Sequence, residues 1–318
     1  MDVADLPASA ALSSRTAIDA STTNSISRSL CQELSHLDAS KTTGHIGFMS
    51  AIQPRFRTVD GLSIRYAESV NTKPQALLLS PWPESIYAYD PTWSRLAEHA
   101  SLIAVDLPGF GHSELREDLL SPRRMGDFVV RLADEFGLVE PHVVGPDIGT
   151  SAALFAAAAA PGRFRSIVIG SGGAKSPTDL GSPLHDWVHD EDLAPYRALG
   201  PKDVVNVAMD AIEGYELPDV VRQDYLAAYQ GQRFVEQMAY VRAYPAELAE
   251  LDALLPGITT PVQVINGKRD SVVPVSNAEH LHERLPNSRL AVVDAGHFVW
   301  EENADEYARI VTEWWQAN

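Results

Sequence analysis

Short apolar runs separated by helix-length segments constrain this chain more than any other feature. Ala76-Leu77-Leu78-Leu79, Leu102-Ile103-Ala104-Val105, Val143-Val144, Ser166 to Gly170, Val262 to Ile265 and Leu290 to Val293 each have the length of one strand. Runs without polar alternation belong to strands covered on both faces, which is the condition of a parallel sheet with helices above and below. The intervening segments carry helical patterns, such as Val129, Val130, Leu132, Ala133 and Phe136 ahead of Gly137. Phe56 to Val59 and Leu62 to Tyr66, joined by Asp60-Gly61, form a predicted hairpin. The fold class is therefore α/β, a mostly parallel sheet flanked by helices. One interval breaks the alternation. From about Gly172 to Leu255 there are amphipathic helical patterns and no convincing strand, too long for a loop. The expected organisation is a core over 51–171 and 256–318 with a helical cap inserted over 172–255.

Residues 1–50 are rich in Ser, Thr and Ala without apolar periodicity, and are expected to be a disordered extension without a catalytic part. Met49 begins a stretch that reads like a natural start, and Asp2, Asp5, Asp19, Glu33 and Asp38 speak against a transit peptide. A formal net charge of −18 argues against nucleic acid and anionic membranes as partners, and no apolar run reaches membrane-spanning length. The single cysteine, Cys31, allows no internal disulfide, and without a secretory signal the expected location is cytoplasmic.

The chemistry concentrates in Val143-Val144-Gly145-Pro146-Asp147-Ile148-Gly149-Thr150-Ser151, a strand, a sharp turn and a small-residue helix with a carboxylate at the apex. It has the form of a nucleophile elbow written G-x-D-x-G, though an aspartate capping the following helix produces a similar pattern. Two further segments follow strand ends. Asn266-Gly267-Lys268-Arg269-Asp270 leads to an acid, and Ala295-Gly296-His297-Phe298 supplies a histidine. Open α/β sheets put their sites at such ends, and the order nucleophile, acid, histidine is that of α/β-hydrolases.

With these segments the chain resembles the α/β-hydrolase-fold group that contains epoxide hydrolases and haloalkane dehalogenases, from about Phe56 onwards. The resemblance rests on Asp106-Leu107-Pro108-Gly109-Phe110-Gly111-His112-Ser113, the elbow, Gly267-Lys268-Arg269-Asp270 with Val273-Pro274, and Gly296-His297-Phe298. It implies a hydrolase without cofactor or metal. Asp147 would attack an electrophilic carbon to form an ester, His297 would activate water against that ester, and Asp270 would orient His297. A carboxylate nucleophile suits a saturated carbon in a small apolar substrate, because attack on an ester or amide would give an anhydride. The backbone N–H groups of Ile148 and Trp82 are the expected oxyanion donors. The family's His-Gly-x-Pro loop reads Ser80-Pro81-Trp82-Pro83 here, so its first two residues depart from the pattern.

The leaving group separates the reactions. Epoxide opening needs an acid, which in this family is a pair of cap tyrosines. Tyr240 is the first candidate, Tyr244 the reserve and Tyr215 a possible partner. Halide departure needs N–H donors, in this family a tryptophan directly after the nucleophile. Ile148 stands there instead, which favours epoxide hydrolysis over dehalogenation. An esterase or lactonase, or a ligand-binding protein without catalysis, is the remaining alternative. Glu301, Glu302, Asp305 and Glu306 are read as complementing a helix dipole. His185-Asp186 and His189-Asp190 are read as a solvated loop with no metal.

Overall fold

The computed structural model describes residues 50–69 and 73–318. The expectation for residues 1–50 falls, Ser50 excepted, outside the described residues. Eight strands form one sheet: β1 (Arg55–Val59), β2 (Leu62–Ser69), β3 (Gln75–Leu79), β4 (Ser101–Val105), β5 (His142–Pro146), β6 (Ser166–Gly170), β7 (Val262–Gly267) and β8 (Ser288–Val293). Their order is β1-β2-β4-β3-β5-β6-β7-β8. The predicted hairpin is present, with Val59 opposite Leu62 and positive φ at both Asp60 (49°) and Gly61 (80°), as a tight two-residue turn requires. β2 also pairs antiparallel with β4, and every other pairing is parallel.

The order places a switch point at β3. The chain leaves β3 for β4 on one side and returns to β5 on the other, so the loops after β3 and β5 flank one crevice. The core strands are apolar without alternation because both faces are covered; β5 and β6 are buried at every position.

The helices of the core are α1 (Asp90–Ala97), α2 (Pro122–Glu135), α3 (Ile148–Ala159), α10 (Ser276–Arg284), α11 (Val299–Glu302) and α12 (Ala304–Ala317). Ser121 caps α2 through Arg124 N, and Met125, Phe128, Val129, Leu132 and Ala133 form its buried stripe. Burying each such large side chain stabilises the fold by about 1.5–3 kcal/mol before entropy is counted. Between β6 and β7 lie α4 (Leu184–His189), α5 (Ala194–Ala198), α6 (Pro201–Asp210), α7 (Asp219–Ala227), α8 (Arg233–Arg242) and α9 (Tyr244–Leu254), with no strand among them. The last of these, α9, packs against α2 and α3. No helix among the described residues is long and apolar enough to cross a membrane.

Candidate active site

Asp147 stands between β5 and α3 at φ 52°, ψ −122°, a conformation that costs an L-residue about 1–3 kcal/mol. The surroundings hold it there. Asp147 N donates to Gly170 O at 2.9 Å and Thr150 N donates to Asp147 O at 3.0 Å. Thr150 Oγ1 lies 3.0 Å from Gly170 O and 3.2 Å from Gly145 O. A Cβ on Gly145 would meet Gly149 O at 2.7 Å, and one on Gly172 would meet Asp147 O at 2.2 Å, so both positions exclude larger residues.

The carboxylate does not cap α3. Asp147 Oδ2 accepts from Trp82 N at 2.7 Å, and the N–H of Ile148 also stabilises the charge. The other oxygen, Oδ1, lies 3.8 Å from His297 Nε2, beyond hydrogen-bonding distance. His297 Nδ1 donates to Asp270, 3.0 Å from Oδ2 and 3.1 Å from Oδ1. Asp270 is oriented by the N–H groups of Val272 (3.0 Å) and Val273 (2.8 Å). The ends of β5, β7 and β8 therefore bring Asp147, Asp270 and His297 together, with Trp82 N arriving from the neighbouring end of β3. The Trp82–Pro83 peptide is cis.

Asp147 is 6% exposed and His297 9%. Burial raises the Asp147 carboxyl, while the His297 charge and the two backbone N–H groups draw it back. Burial alone would lower His297. Asp270, by charge and hydrogen bond, and then Asp147 and Glu84 outweigh it and lift the imidazole to about 9. The resting site thus favours the imidazolium form of His297 at neutral pH.

The tyrosines divide. Tyr240 OH donates to Ile148 O at 2.7 Å and lies 3.2 Å from Ser151 Oγ, one turn along α3 from the nucleophile. The Tyr244 ring packs edge-on against Tyr240 at 6.0 Å, its hydroxyl also reaches Ser151, and both phenols feel the Asp147 charge. Burial raises both phenols, so they stay protonated. Tyr215 belongs elsewhere. Its charged neighbours are Glu301, Asp90 and Glu84, so the structure does not pair it with Tyr240. Ile148 is fully buried and its side chain offers no donor.

Two features were not foreseen. The first is a buried acid pair. Glu84 and Glu301 are 1% and 2% exposed and within hydrogen-bonding reach of each other. Trp300 Nε1 donates to Glu84 Oε1 and Tyr225 OH to Glu301 Oε1, each at 3.2 Å, and no other donor reaches either Oε2. Burial and then the charge of Glu301 push Glu84 well above the usual carboxylate range, and burial lifts Glu301 to about 7. Burial thus favours the protonated form of each carboxyl. Reading Glu301 as a helix-dipole residue was therefore incorrect, whereas Glu302 accepts from Gly296 N and Phe298 N on either side of His297. The second is Gln237 on α8, fully buried against Trp82. The His185 and His189 rings lie 4.7 Å apart, and the described residues contain no cluster of three or more metal-binding side chains.

A mostly parallel sheet that brings two aspartates and a histidine together at its strand ends has the arrangement of an α/β hydrolase. The chain belongs to the alpha/beta hydrolase fold family, whose model matches residues 77–304. An uncharacterised hydrolase of Bacillus subtilis (strain 168), YugF, is 27% identical over 267 residues, spanning 81% of this chain and 96% of that protein. A 2-hydroxymuconate semialdehyde hydrolase of Pseudomonas putida is 26% identical over 230 residues, 68% of this chain and 77% of that one. The crystal structure of the enol-lactonase from Burkholderia xenovorans LB400 superposes with a TM-score of 0.68 at 18% identity, covering 83% of this chain and all of that one. Other relatives are methyl ester esterases, such as that of Aeromonas salmonicida at 27% identity, covering 75% of this chain and 94% of that protein.

Proposed function

We propose that this protein hydrolyses small apolar alkyl electrophiles through a covalent ester on Asp147, with an epoxide as substrate and a vicinal diol as product. The observation that carries this reading is the hydrogen bond from Trp82 N to Asp147 Oδ2 at 2.7 Å. The oxyanion donors grip the carboxyl of the protein itself. They are therefore matched to the tetrahedral intermediate formed when water attacks an aspartyl ester, not to a carbonyl of the substrate. Asp147 acting as a base on a substrate ester would leave that carbonyl without those donors, which weighs against carrying over the ester and carbon–carbon substrates named for the relatives.

In the first step Asp147 Oδ1, the oxygen that faces His297 and does not accept from Trp82 N, attacks an epoxide carbon. The carbon–oxygen bond breaks and the alkoxide takes a proton from Tyr244 or Tyr240. The imidazolium of His297 then gives up its Nε2 proton, through solvent, to the phenolate. In the second step the now neutral His297 Nε2 accepts a proton from water, whose oxygen attacks the ester carbon while Trp82 N and Ile148 N hold the developing charge. Collapse releases the diol and restores the carboxylate, with His297 again an imidazolium and the tyrosine protonated. The helical insertion serves as a cap that supplies the acid.

The test is intact-mass spectrometry of His297→Gln incubated with panels of epoxides, haloalkanes and carboxylic esters. An adduct of epoxide mass on the peptide containing Asp147, absent from Asp147→Asn, is expected. Adducts only with haloalkanes would replace the substrate class. A folded variant without any adduct, in a protein without turnover on all three panels, would leave a ligand-binding protein as the better description. Tyr244→Phe and Tyr240→Phe should slow adduct formation from epoxides by about 10²–10⁴-fold, the usual contribution of a general acid.

A further inference from the structure

The loop that carries the Trp82 N–H donor is held from the helical insertion at several points. Tyr229 OH donates to Pro83 O at 2.9 Å, and Phe234 stacks on the Trp82 indole at 5.1 Å with 23° between the rings. Trp187 of α4 and Phe110 meet the same indole edge-on at 5.2 and 6.4 Å. The polar contact is Gln237. Its Oε1 accepts from Trp82 Nε1 at 2.6 Å and its Nε2 donates to Gly109 O at 2.7 Å. One fully buried carboxamide of α8 therefore joins the loop after β3 to the loop after β4. A carboxamide offers a donor and an acceptor in one plane, and both are used here with good distances. Breaking either bond strands a buried polar group, so the two form and break together.

We propose that Gln237 is a positioning residue that ties the insertion to the oxyanion donors, by fixing the Trp82 indole and through it the Trp82 N–H on Asp147. With Gln237 in place the indole has one orientation, and the backbone of Trp82 presents its N–H to Oδ2. Without it the indole keeps its aromatic neighbours but loses its polar anchor, and the N–H is free to leave the carboxyl. The kinetic part of this inference rests on the aspartyl-ester reading; the structural part does not.

The test is amide hydrogen exchange at Trp82 in the full-length protein, which needs no substrate. Gln237→Leu should reduce protection of the Trp82 backbone N–H by tenfold or more. Met209→Ala, a cavity in α6 of the same insertion, should leave it within twofold. Gln237→Glu should restore protection at pH 5, where a neutral carboxyl reproduces both bonds, and lose it at pH 8. Unchanged protection in Gln237→Leu, an equal loss in Met209→Ala, or no restoration at pH 5 would each overturn the assignment. In single-turnover experiments on the aspartyl ester, Gln237→Leu should slow ester breakdown at least tenfold and ester formation by less, since only breakdown places a new charge on Oδ2. If no ester forms in any variant, the exchange result still decides the positioning role.

Discussion

Replacing Asp147 by Asn should convert His297 from a group protonated at neutral pH into one that is not. The ring is lifted to about 9 against the effect of its own burial, by Asp270 first and then by Asp147 and Glu84. His297 Nε2 and Asp147 Oδ1 are 3.8 Å apart. At an effective dielectric constant of about 20, unit charges at that separation interact by roughly 4 kcal/mol. One pKa unit corresponds to about 1.4 kcal/mol, so loss of the Asp147 charge lowers the imidazole by roughly 3 units, from about 9 to about 6. Asn is neutral and close in shape, and Asp270 stays in place to orient the ring. The assay is an NMR titration of the His297 ring in wild type and Asp147→Asn between pH 4 and 10. A drop of less than about one unit would refute the reasoning, because Asp147 would then not be an important source of the elevated value.

The same shift has a catalytic meaning. Alkylation of Asp147 removes the same negative charge as the substitution does. On the proposed aspartyl-ester mechanism, the imidazolium of the resting protein would then become a base once the ester has formed, when a base is needed.

Three further outcomes follow from the buried charges. Glu301→Gln should stabilise the protein at pH 8 by on the order of 1–4 kcal/mol. A carboxyl raised to about 7 makes wild-type stability fall as pH rises from about 4.5 to about 7, and urea denaturation across that range should show a shallower slope in the variant, the remainder belonging to the still buried Glu84. Asp270→Asn should reduce turnover by about 10³–10⁴-fold through loss of the His297 tautomer. It should also remove the roughly 3 kcal/mol of stability that a raised His297 contributes below about 6.5 and that wild type loses as pH rises through about 9. Asp224→Asn should destabilise the protein by roughly 1.5–3 kcal/mol in chemical denaturation, because the buried Arg65 loses the carboxylate it binds at 2.6 and 2.9 Å and keeps only Asp106, at 3.4 Å. Burial opposes ionisation of Asp224, but His112 and Arg65 hold its carboxyl down to about 2, so this stability is present above about 3.8 and is lost as pH falls through about 2.

Most of the sheet was legible because its signals are local. Asp60-Gly61 specifies its hairpin from two residues, and apolar runs such as Ala76–Leu79 report burial on both faces without knowledge of their neighbours. Asp147, Asp270 and His297 were legible for a related reason: each follows its strand directly, and strand ends of a parallel sheet converge. Trp82 was found by its place in a loop, despite the departures at Ser80 and Pro81. What was not legible depends on encounters between distant segments. Glu84 and Glu301 are 217 residues apart, and nothing near Glu301 distinguishes it from the solvated Asp305 of the next helix. Gln237 looks like any polar residue on an amphipathic helix until α8 is laid over the loop of Trp82. Tyr215 failed for the same reason, since the helices of the insertion have no sheet register to fix which way a loop tyrosine turns.

The acids around His297 form one electrostatic unit. Asp270, Asp147 and Glu84 each act on the imidazole, and Glu301 acts on Glu84. Of these, Asp270 is tied by two backbone N–H groups and the acid pair is sealed from water, so neither is free to change during a reaction. Asp147 Oδ1 faces Nε2 of the ring at 3.8 Å without a hydrogen bond to it, whereas Asp270 is bonded to Nδ1. The proton affinity of His297 is therefore set by structure at three acids and by chemistry at one. On the proposed mechanism, the carboxylate at the elbow apex would therefore both make the bond to substrate and determine when the histidine acts.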